Sequence, residues 1–306
     1  MPRTVLAIEI GGTKLQLAVG DDSGALTERR RFTVDKSRGG AGIREQIAGA
    51  LPALLSEAKP VAIGVGFGGP VDWRTGRIAR SHQIEGWSGF DLGGWLREQT
   101  GLPVRVDNDA NVAALGEATR GAGAGCNPIF YVTMGSGVGG GLVVDGKIFH
   151  GAAPGESELG HVRLDKSGVI VEQRCSGWAV DARIRRLRDE GVKSLLVDGL
   201  PASPGGEAKL LSKALAARDA VALRILKETG EDLAFALSHV TQLMHPQVIV
   251  LGGGLSLVGE PLRAAVAAAL QRFVMEVFHG GPDVKLAALG EDAVPTGALL
   301  LARDAV

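Results

Sequence analysis

The stretch LAIEIGGTKLQLAV, residues 6–19, places a glutamate inside an apolar run and then breaks that run with Gly-Gly-Thr-Lys. Val5 to Ile10 is short and apolar and ends in glycines, while Leu15, Leu17 and Val19 alternate with Gln16 and Ala18. This pattern predicts a β-hairpin turning around Gly11 to Lys14. A second stretch of the same grammar, IFYVTMGSGVGGGLVVDGKIF, occupies residues 129–149. Sliding by 124 residues sets Glu9 on Thr133, Gly11 on Gly135, Gly12 on Ser136 and Val19 on Val143, so a polar residue followed by a glycine turn recurs at the same place. We read this as an internal duplication, with one hairpin in each of two lobes.

Around the hairpins, strands and helices alternate. A helical segment near Ile43 to Ala58, a buried strand VAIGVGFGGPV and a second helix LGGWLREQT lead to LPVRVDNDANVAALGEATRGAG, which reads as strand, polar turn and helix, ended by glycines from Gly121. Beyond the second hairpin, AVDARIRRLRDEG and KLLSKALAARDAVALRILKETGEDLAFALSHVTQLM are helical by period. PQVIVLGGGLSLVGEPLRAAVAAALQRF follows as strand, glycine turn and helix, and GALLLARDAV as a last helix. Antiparallel hairpins feeding parallel strand-helix units predict an α/β protein of two lobes with a cleft between them. The lobes are expected at 1–118, which the C-terminal helix 293–306 could join, and at 119–292.

The chain of 306 residues is 45% hydrophobic and 22% charged, enough for one large core and better suited to two domains. Its formal net charge of -1, with both signs mixed along the chain, gives no electrostatic footprint for nucleic acid or an anionic membrane. Cys126 and Cys175 supply neither a disulfide framework nor the spacing of a metal cluster, which points to the cytoplasm. The N-terminal apolar segment is too short for a signal peptide, and glycines cut the other apolar runs before a membrane span's length.

Glycines let a backbone approach a ligand and turn its N–H groups toward it, and Thr or Lys adds a hydroxyl or a positive charge, a combination that suits phosphate. Ordinary hairpin turns use the same residues, and it is the matched second copy that favours the phosphate reading. Residues 135–140 also satisfy G-x-G-x-x-G, but the dinucleotide fingerprint needs a helix after the glycines, and GLVVDGKIF is a strand, a turn and a strand. No G-x-x-x-x-G-K-[ST] loop occurs. The third cluster, Gly252-Gly253-Gly254, stands between a β-branched strand and an alanine-rich helix, where a backbone can meet a nucleotide or can simply turn.

In order along the chain, IEIGGTK, GFGGPVD, VDNDAN, TMGSGVGGG, GAAPGESELGH, VIVLGGGLS and LGEDAVPTGALLLA resemble the motifs of the ROK family of sugar kinases and repressors, in the actin-like, ribonuclease-H-like ATPase superfamily. The resemblance implies a two-lobed actin-like ATPase fold with a duplicated hairpin core, ATP and Mg²⁺ as donor and cofactor, a hexose as acceptor and a homodimer. It implies phosphate or nucleotide contacts at Gly11, Gly12, Thr13, Lys14, Thr133, Gly135, Ser136, Gly137, Gly253 and Gly254, and sugar contacts at Gly69, Asn108, Asp109, Glu158, His161 and Glu172. The family's repressors carry a DNA-binding helix-turn-helix before the first strand; here that strand begins by residue 5, so a kinase is expected.

Asp109 in Asn108-Asp109-Ala110-Asn111 is by resemblance the general base. A carboxylate suits a reaction that is mostly positioning and charge stabilisation, although Asn and Asp before an Ala-rich helix also serve as caps. Asp107 reads as structural, and Glu156, which matches no motif residue, as a solvated loop glutamate. In many relatives the counterpart of His161 binds zinc with three cysteines. Here VRLDKSGVIVE joins His161 to Glu172 without a cysteine, Ile170 stands where the last would be, and no structural zinc is expected. Glu9 replaces the family's usual aspartate; its expected role is to help hold Mg²⁺, with Lys14 the alternative partner. The activity so implied is ATP-dependent phosphorylation of a hexose, glucose foremost. The alternatives are an N-acetylated or other hexose, polyphosphate as donor, or a sugar-binding sensor without turnover.

Overall fold

The computed structural model describes residues 2–81, 84–153, 155 and 157–306; Glu156 lies outside them. The chain begins with strands β1 (Thr4–Ile10), β2 (Lys14–Asp21) and β3 (Leu26–Thr33), then helix α1 (Gly39–Ala58), β4 (Ile63–Phe67) and the ribbon β5 (Val71–Asp72) and β6 (Arg77–Ile78). Next come α2 (Leu92–Thr100), β7 (Val104–Asn108), α3 (Asp109–Arg120), β8 (Ile129–Met134), β9 (Val138–Val144) and β10 (Lys147–Ile148). The remainder is α4 (Glu172–Cys175), α5 (Gly177–Asp189), α6 (Leu195–Asp198), α7 (Leu210–Ala216), α8 (Ala220–Met244), β11 (Val248–Gly252), α9 (Glu260–Leu270), β12 (Asp283–Leu286) and α10 (Ala293–Arg303).

The same sheet is built twice. One runs β3-β2-β1-β4-β7 and the other β10-β9-β8-β11-β12, so each has its third, second, first, fourth and fifth strands in that order. In both, the hairpin pairs are antiparallel and the later strands join in parallel. The chain forms two compact units, one of Met1–Gly125, Gly141–Ser157 and Leu289–Val306, the other of Cys126–Gly140 and Glu158–Ala288. It passes from one to the other within β9.

In the first unit, the period-2 alternation of β1 decides what each face meets. Leu6, Ile8 and Ile10 pack with Ile43, Ile47 and Leu54 of α1. Val5 and Ala7 face the opposite way, with Val112 and Leu115 of α3 and Leu299 and Leu300 of α10. On that face α10 comes close enough to exclude side chains. A Cβ on Gly64 would lie 1.9 Å from the carbonyl oxygen of Ala298, and one on Gly297 would lie 1.7 Å from that of Val112. Glu117 of α3, fully buried, accepts from the N–H groups of Ala122 and Leu289 at 2.8 Å each, fixing the approach to α10. Segment Gly141–Ser157 packs on the other end of α3, where a Cβ on Gly141 would meet the Ala110 carbonyl at 2.8 Å.

The second unit buries Val132 of β8, Val250 and Leu251 of β11, Leu233 and Leu237 of α8, and Val266 and Leu270 of α9. Asp219 caps α8 through the N–H groups of Val221 and Ala222. The strand, glycine turn and helix expected at the third cluster are present, with a 3-10 segment, Gly254–Val258, and Gly259 at φ 82° between Gly253 and α9.

Gly64→Ala should lower the unfolding free energy by about 3 kcal/mol, since an overpacked methyl would have to displace backbone. Gly49→Ala, in α1 with nothing near its Cβ position, should instead stabilise by up to about 1 kcal/mol. Urea denaturation of both variants checks the opposite signs.

Candidate active site

Parallel register sets the floor of a site in the first unit. Ile10 pairs with Phe67, and Phe67 with Asn108, so the residues that follow, Gly11, Gly68 and Asp109, leave three adjacent strands at one edge. The carboxyl edge of parallel strands is where open α/β sheets bind ligands. Gly68 N–H donates to the Ile10 carbonyl at 2.9 Å. Asn108 caps α3 by accepting from Ala110 N–H at 2.9 Å, and its amide nitrogen donates to the Gly69 carbonyl at 3.1 Å. Asp109, half-buried in the first turn of α3, holds its carboxylate over Gly68, whose absent Cβ would lie 3.4 Å from Oδ2. Gly11, Gly12, Phe67, Gly68, Ser81 and Trp87 line a small pocket at this edge. The structure thus brings Gly11, Gly12, Gly69, Asn108 and Asp109 together.

The second unit repeats the arrangement with β8 and β11. Thr133 pairs with Gly252, so Gly135 and Gly253 follow at the same edge. Gly253, at φ 80°, lies so close to β8 that a Cβ would be 2.5 Å from Met134 N. Gly135 N–H donates to the Gly137 carbonyl at 2.9 Å, closing the turn that holds Ser136, while Gly135 and Gly254 have open space where a Cβ would be. Glu172, at the start of α4, accepts from Val138 N–H at 3.0 Å; Gly137 makes room, since its Cβ would stand 2.3 Å from Oε2. Glu158 and His161 are exposed neighbours, Oε2 to Nδ1 3.5 Å, on a turn held against β9 by Gly160. Glu158, His161 and Glu172 therefore stand in one unit, and Asn108 and Asp109 in the other.

The family model of the ROK family matches residues 5–305. The chain belongs to the ROK family. Among curated relatives, a glucokinase of Halalkalibacterium halodurans is 33% identical over 95% of this chain and 92% of its own length. A ROK family glucokinase from Streptomyces griseus, solved in complex with glucose and AMPPNP, is similar with a TM-score of 0.83 and 28% identity over 98% of this chain and 99% of that one. A ROK hexokinase from Thermus thermophilus gives 0.79 and 29%, covering 98% and 97%. The fold is therefore the actin-like ATPase fold the motifs implied.

The segment after His161 is closed by backbone hydrogen bonds. Val171 N–H donates to the Val162 carbonyl at 3.0 Å and Leu164 N–H to that of Val169 at 2.8 Å. At the tip Asp165 accepts from Ser167 N–H at 2.8 Å and Gly168 N–H at 3.1 Å; its bond from the Ser167 hydroxyl, with these, holds its carboxyl below the usual range. Among the described residues no group of three or more His, Cys, Asp or Glu stands as a metal cluster. Cys175 is buried, which pushes its thiol far above the ordinary range and leaves it unreactive.

Glu9 is buried in the first unit, 7% exposed, with both carboxylate oxygens engaged. Lys14 Nζ stands 3.0 Å from Oε1, and Gln16 Nε2, directly across the hairpin, donates to Oε2 at 2.6 Å. Gln16 in turn accepts from Arg31 at 3.1 Å. The sequence named Lys14 and missed Gln16, although a glutamine between Leu15 and Leu17 opposite the only carboxylate of β1 was a visible sign. Desolvation still outweighs these partners and leaves the Glu9 carboxyl above its ordinary value. A carboxyl raised on folding binds a proton more tightly in the native state, so its contribution is complete below the unfolded value and declines as pH rises through the folded one. Glu9→Gln should therefore gain stability relative to the parent as pH rises above about 4.5, measured by urea denaturation across pH 4 to 8.

Proposed function

We propose that this sugar kinase of the ROK family transfers the terminal phosphoryl group of ATP to a hexose, with glucose the first candidate. The observation that carries the reading is the carboxylate of Asp109 at the first turn of α3, beside Gly11, Gly12 and Gly68 at the ends of three parallel strands. Similarity to a glucokinase solved with glucose and AMPPNP supports it.

In this mechanism a sugar hydroxyl oxygen attacks the γ-phosphorus, its proton passes to Asp109, and the bond from that phosphorus to the β,γ-bridging oxygen breaks to release ADP. The residues assigned to the sugar hydroxyls are Asn108 and the Gly69 backbone, with Glu158, His161 and Glu172. The glycine turns, Gly11, Gly12 and Thr13 with the Lys14 ammonium, and Gly135, Ser136 and Gly137 with Thr133, are the groups assigned to the phosphates. Gly253 and Gly254 approach the nucleoside. Mg²⁺, when bound with the nucleotide, neutralises the charge on the phosphate oxygens. Glu9 fits it in kind: it is an oxygen donor that already accommodates a cation, Lys14, and a single carboxylate suits an ion that arrives on phosphates and keeps its waters. No structural zinc enters this reading, because the cysteines that would hold one are absent from the loop.

A coupled ADP-release assay across a panel of hexoses with ATP and Mg²⁺, repeated with polyphosphate and detection of the sugar phosphate, tests the reading directly. Failure to turn over any hexose would leave a sugar-binding sensor. Asp109→Ala should lower kcat at least about a hundredfold while hexose affinity stays within a few fold, as measured by steady-state kinetics and calorimetry.

Glu158→Gln and Glu172→Gln should raise the hexose KM far more than the ATP KM, because an amide cannot accept at both polar atoms. Equal changes in the two constants would take these glutamates out of the sugar site.

A further inference from the structure

Two residues before the proposed base, across Asn108, stands a second carboxylate that the reaction does not use. Asp107, on β7, is 1% exposed. Its Oδ1 accepts from Asn108 N–H at 2.8 Å and from the amide nitrogen of Asn111 at 3.0 Å. Its Oδ2 receives Nε2 of His150 at 2.5 Å. A carboxylate only accepts, so Nε2 carries the proton in this bond. His150 belongs to the segment Gly141–Ser157, which returns to the first unit. Its ring is stacked on Trp73, with centroids 4.2 Å apart and planes 16° apart, and the Arg74 guanidinium covers Trp73 at 5.2 Å. The His150 backbone is held too: a Cβ on Gly155 would lie 2.2 Å from its carbonyl oxygen. The Asn111 amide nitrogen also reaches the Gly155 carbonyl at 3.4 Å.

We propose that His150 and Asp107 form a positioning pair that fixes the direction in which α3 leaves β7 and so holds Asp109 where it can take the proton of the sugar hydroxyl. The inference rests on the kinase reading above. Asp107 spans the junction with both oxygens: one fixes the backbone and first turn of α3, the other is anchored to a ring that stacking prevents from turning. Asn108, besides its N–H bond to Asp107, has two holds of its own, the cap to Ala110 and the bond to Gly69. Loss of His150 therefore moves Asp109 more than it moves the sugar contacts, and a misplacement of about 1 Å can cost a hundredfold in rate.

The test compares His150→Phe, which keeps a ring on Trp73 but has no donor, with His150→Gln, whose amide nitrogen can stand near Nε2. With the parent active on a hexose, His150→Phe should lower kcat about ten- to a hundredfold, with hexose and ATP KM within about threefold, and His150→Gln should return to within about threefold of the parent. Introduced into Asp109→Ala, His150→Phe should cost less than about twofold of the residual rate, because the two act through one group. Asp107→Asn, which sets an amide nitrogen against His150, should reproduce the loss and replaces His150→Phe if that variant does not fold. A folded His150→Phe or Asp107→Asn with parental kcat, a glutamine variant no better than phenylalanine, or kcat and hexose KM moving together would overturn the pair while leaving the kinase reading in place. A parent that phosphorylates no hexose overturns both.

Discussion

Ile10, Phe67 and Asn108 lie side by side because β1, β4 and β7 run parallel as neighbours. Parallel strands all end at the same edge, so three loops far apart in sequence begin at one level. The first glycine turn, the Gly68-Gly69 loop and the start of α3 follow from that constraint. The second unit obeys it again, with Gly135 and Gly253 leaving β8 and β11 at one level. A strand order built twice from different residues is the physical content of the duplication, and it explains why glycine turns recur where side chains would block close approach.

Polar groups inside these sheets are satisfied by neighbours that their own geometry supplies. Glu9 meets Lys14 and Gln16 because the hairpin register sets Glu9 opposite Gln16 and the turn brings Lys14 back. Glu117 accepts backbone N–H groups from two segments, and the fully buried Glu207 pairs with Arg185 and with Gly205 N–H. An unpaired buried charge would be far costlier than any of these contacts is stabilising, so each buried carboxylate fixes the position of the group that answers it. Asp107 has the same character, and its place two residues before Asp109 turns a packing requirement into one that bears on chemistry.

The close approach of α10 has a consequence for the whole first unit. Residues from the end of the chain cover the same sheet face that the first strand forms, through contacts at Gly64 and Gly297 that tolerate no side chain. The unit therefore becomes complete only when the last helix is in place. Arg29 and Arg31 of β3 also reach acids near that end, Asp292 and Glu291.

Local periodicity made much of this legible. Alternation at Leu15, Leu17 and Val19, glycine breaks at Gly11 and Gly135, and a helical stripe after Asn108 specify hairpins and helices from residues within a few positions of each other. The motif order identified the family and named the groups at the strand ends. Sequence could also state that Glu9 needs a partner, since desolvation applies wherever the strand lies, but it could not select one. That choice depends on which residue stands across the hairpin. Strand β3 escaped notice because LTERRRFT has no apolar alternation; besides Glu28 on the strand itself, its arginines are answered by Glu57, Glu291 and Asp292 from distant parts of the chain. His150 carried no signal for the same reason: its partner, Asp107, is 43 positions away. Most elements, and the motifs at their ends, could be read from the chain because they are written in short-range pattern. Which buried charges meet, and the return of 141–157 to the first unit, emerged with folding, because packing between segments distant along the chain leaves no local trace.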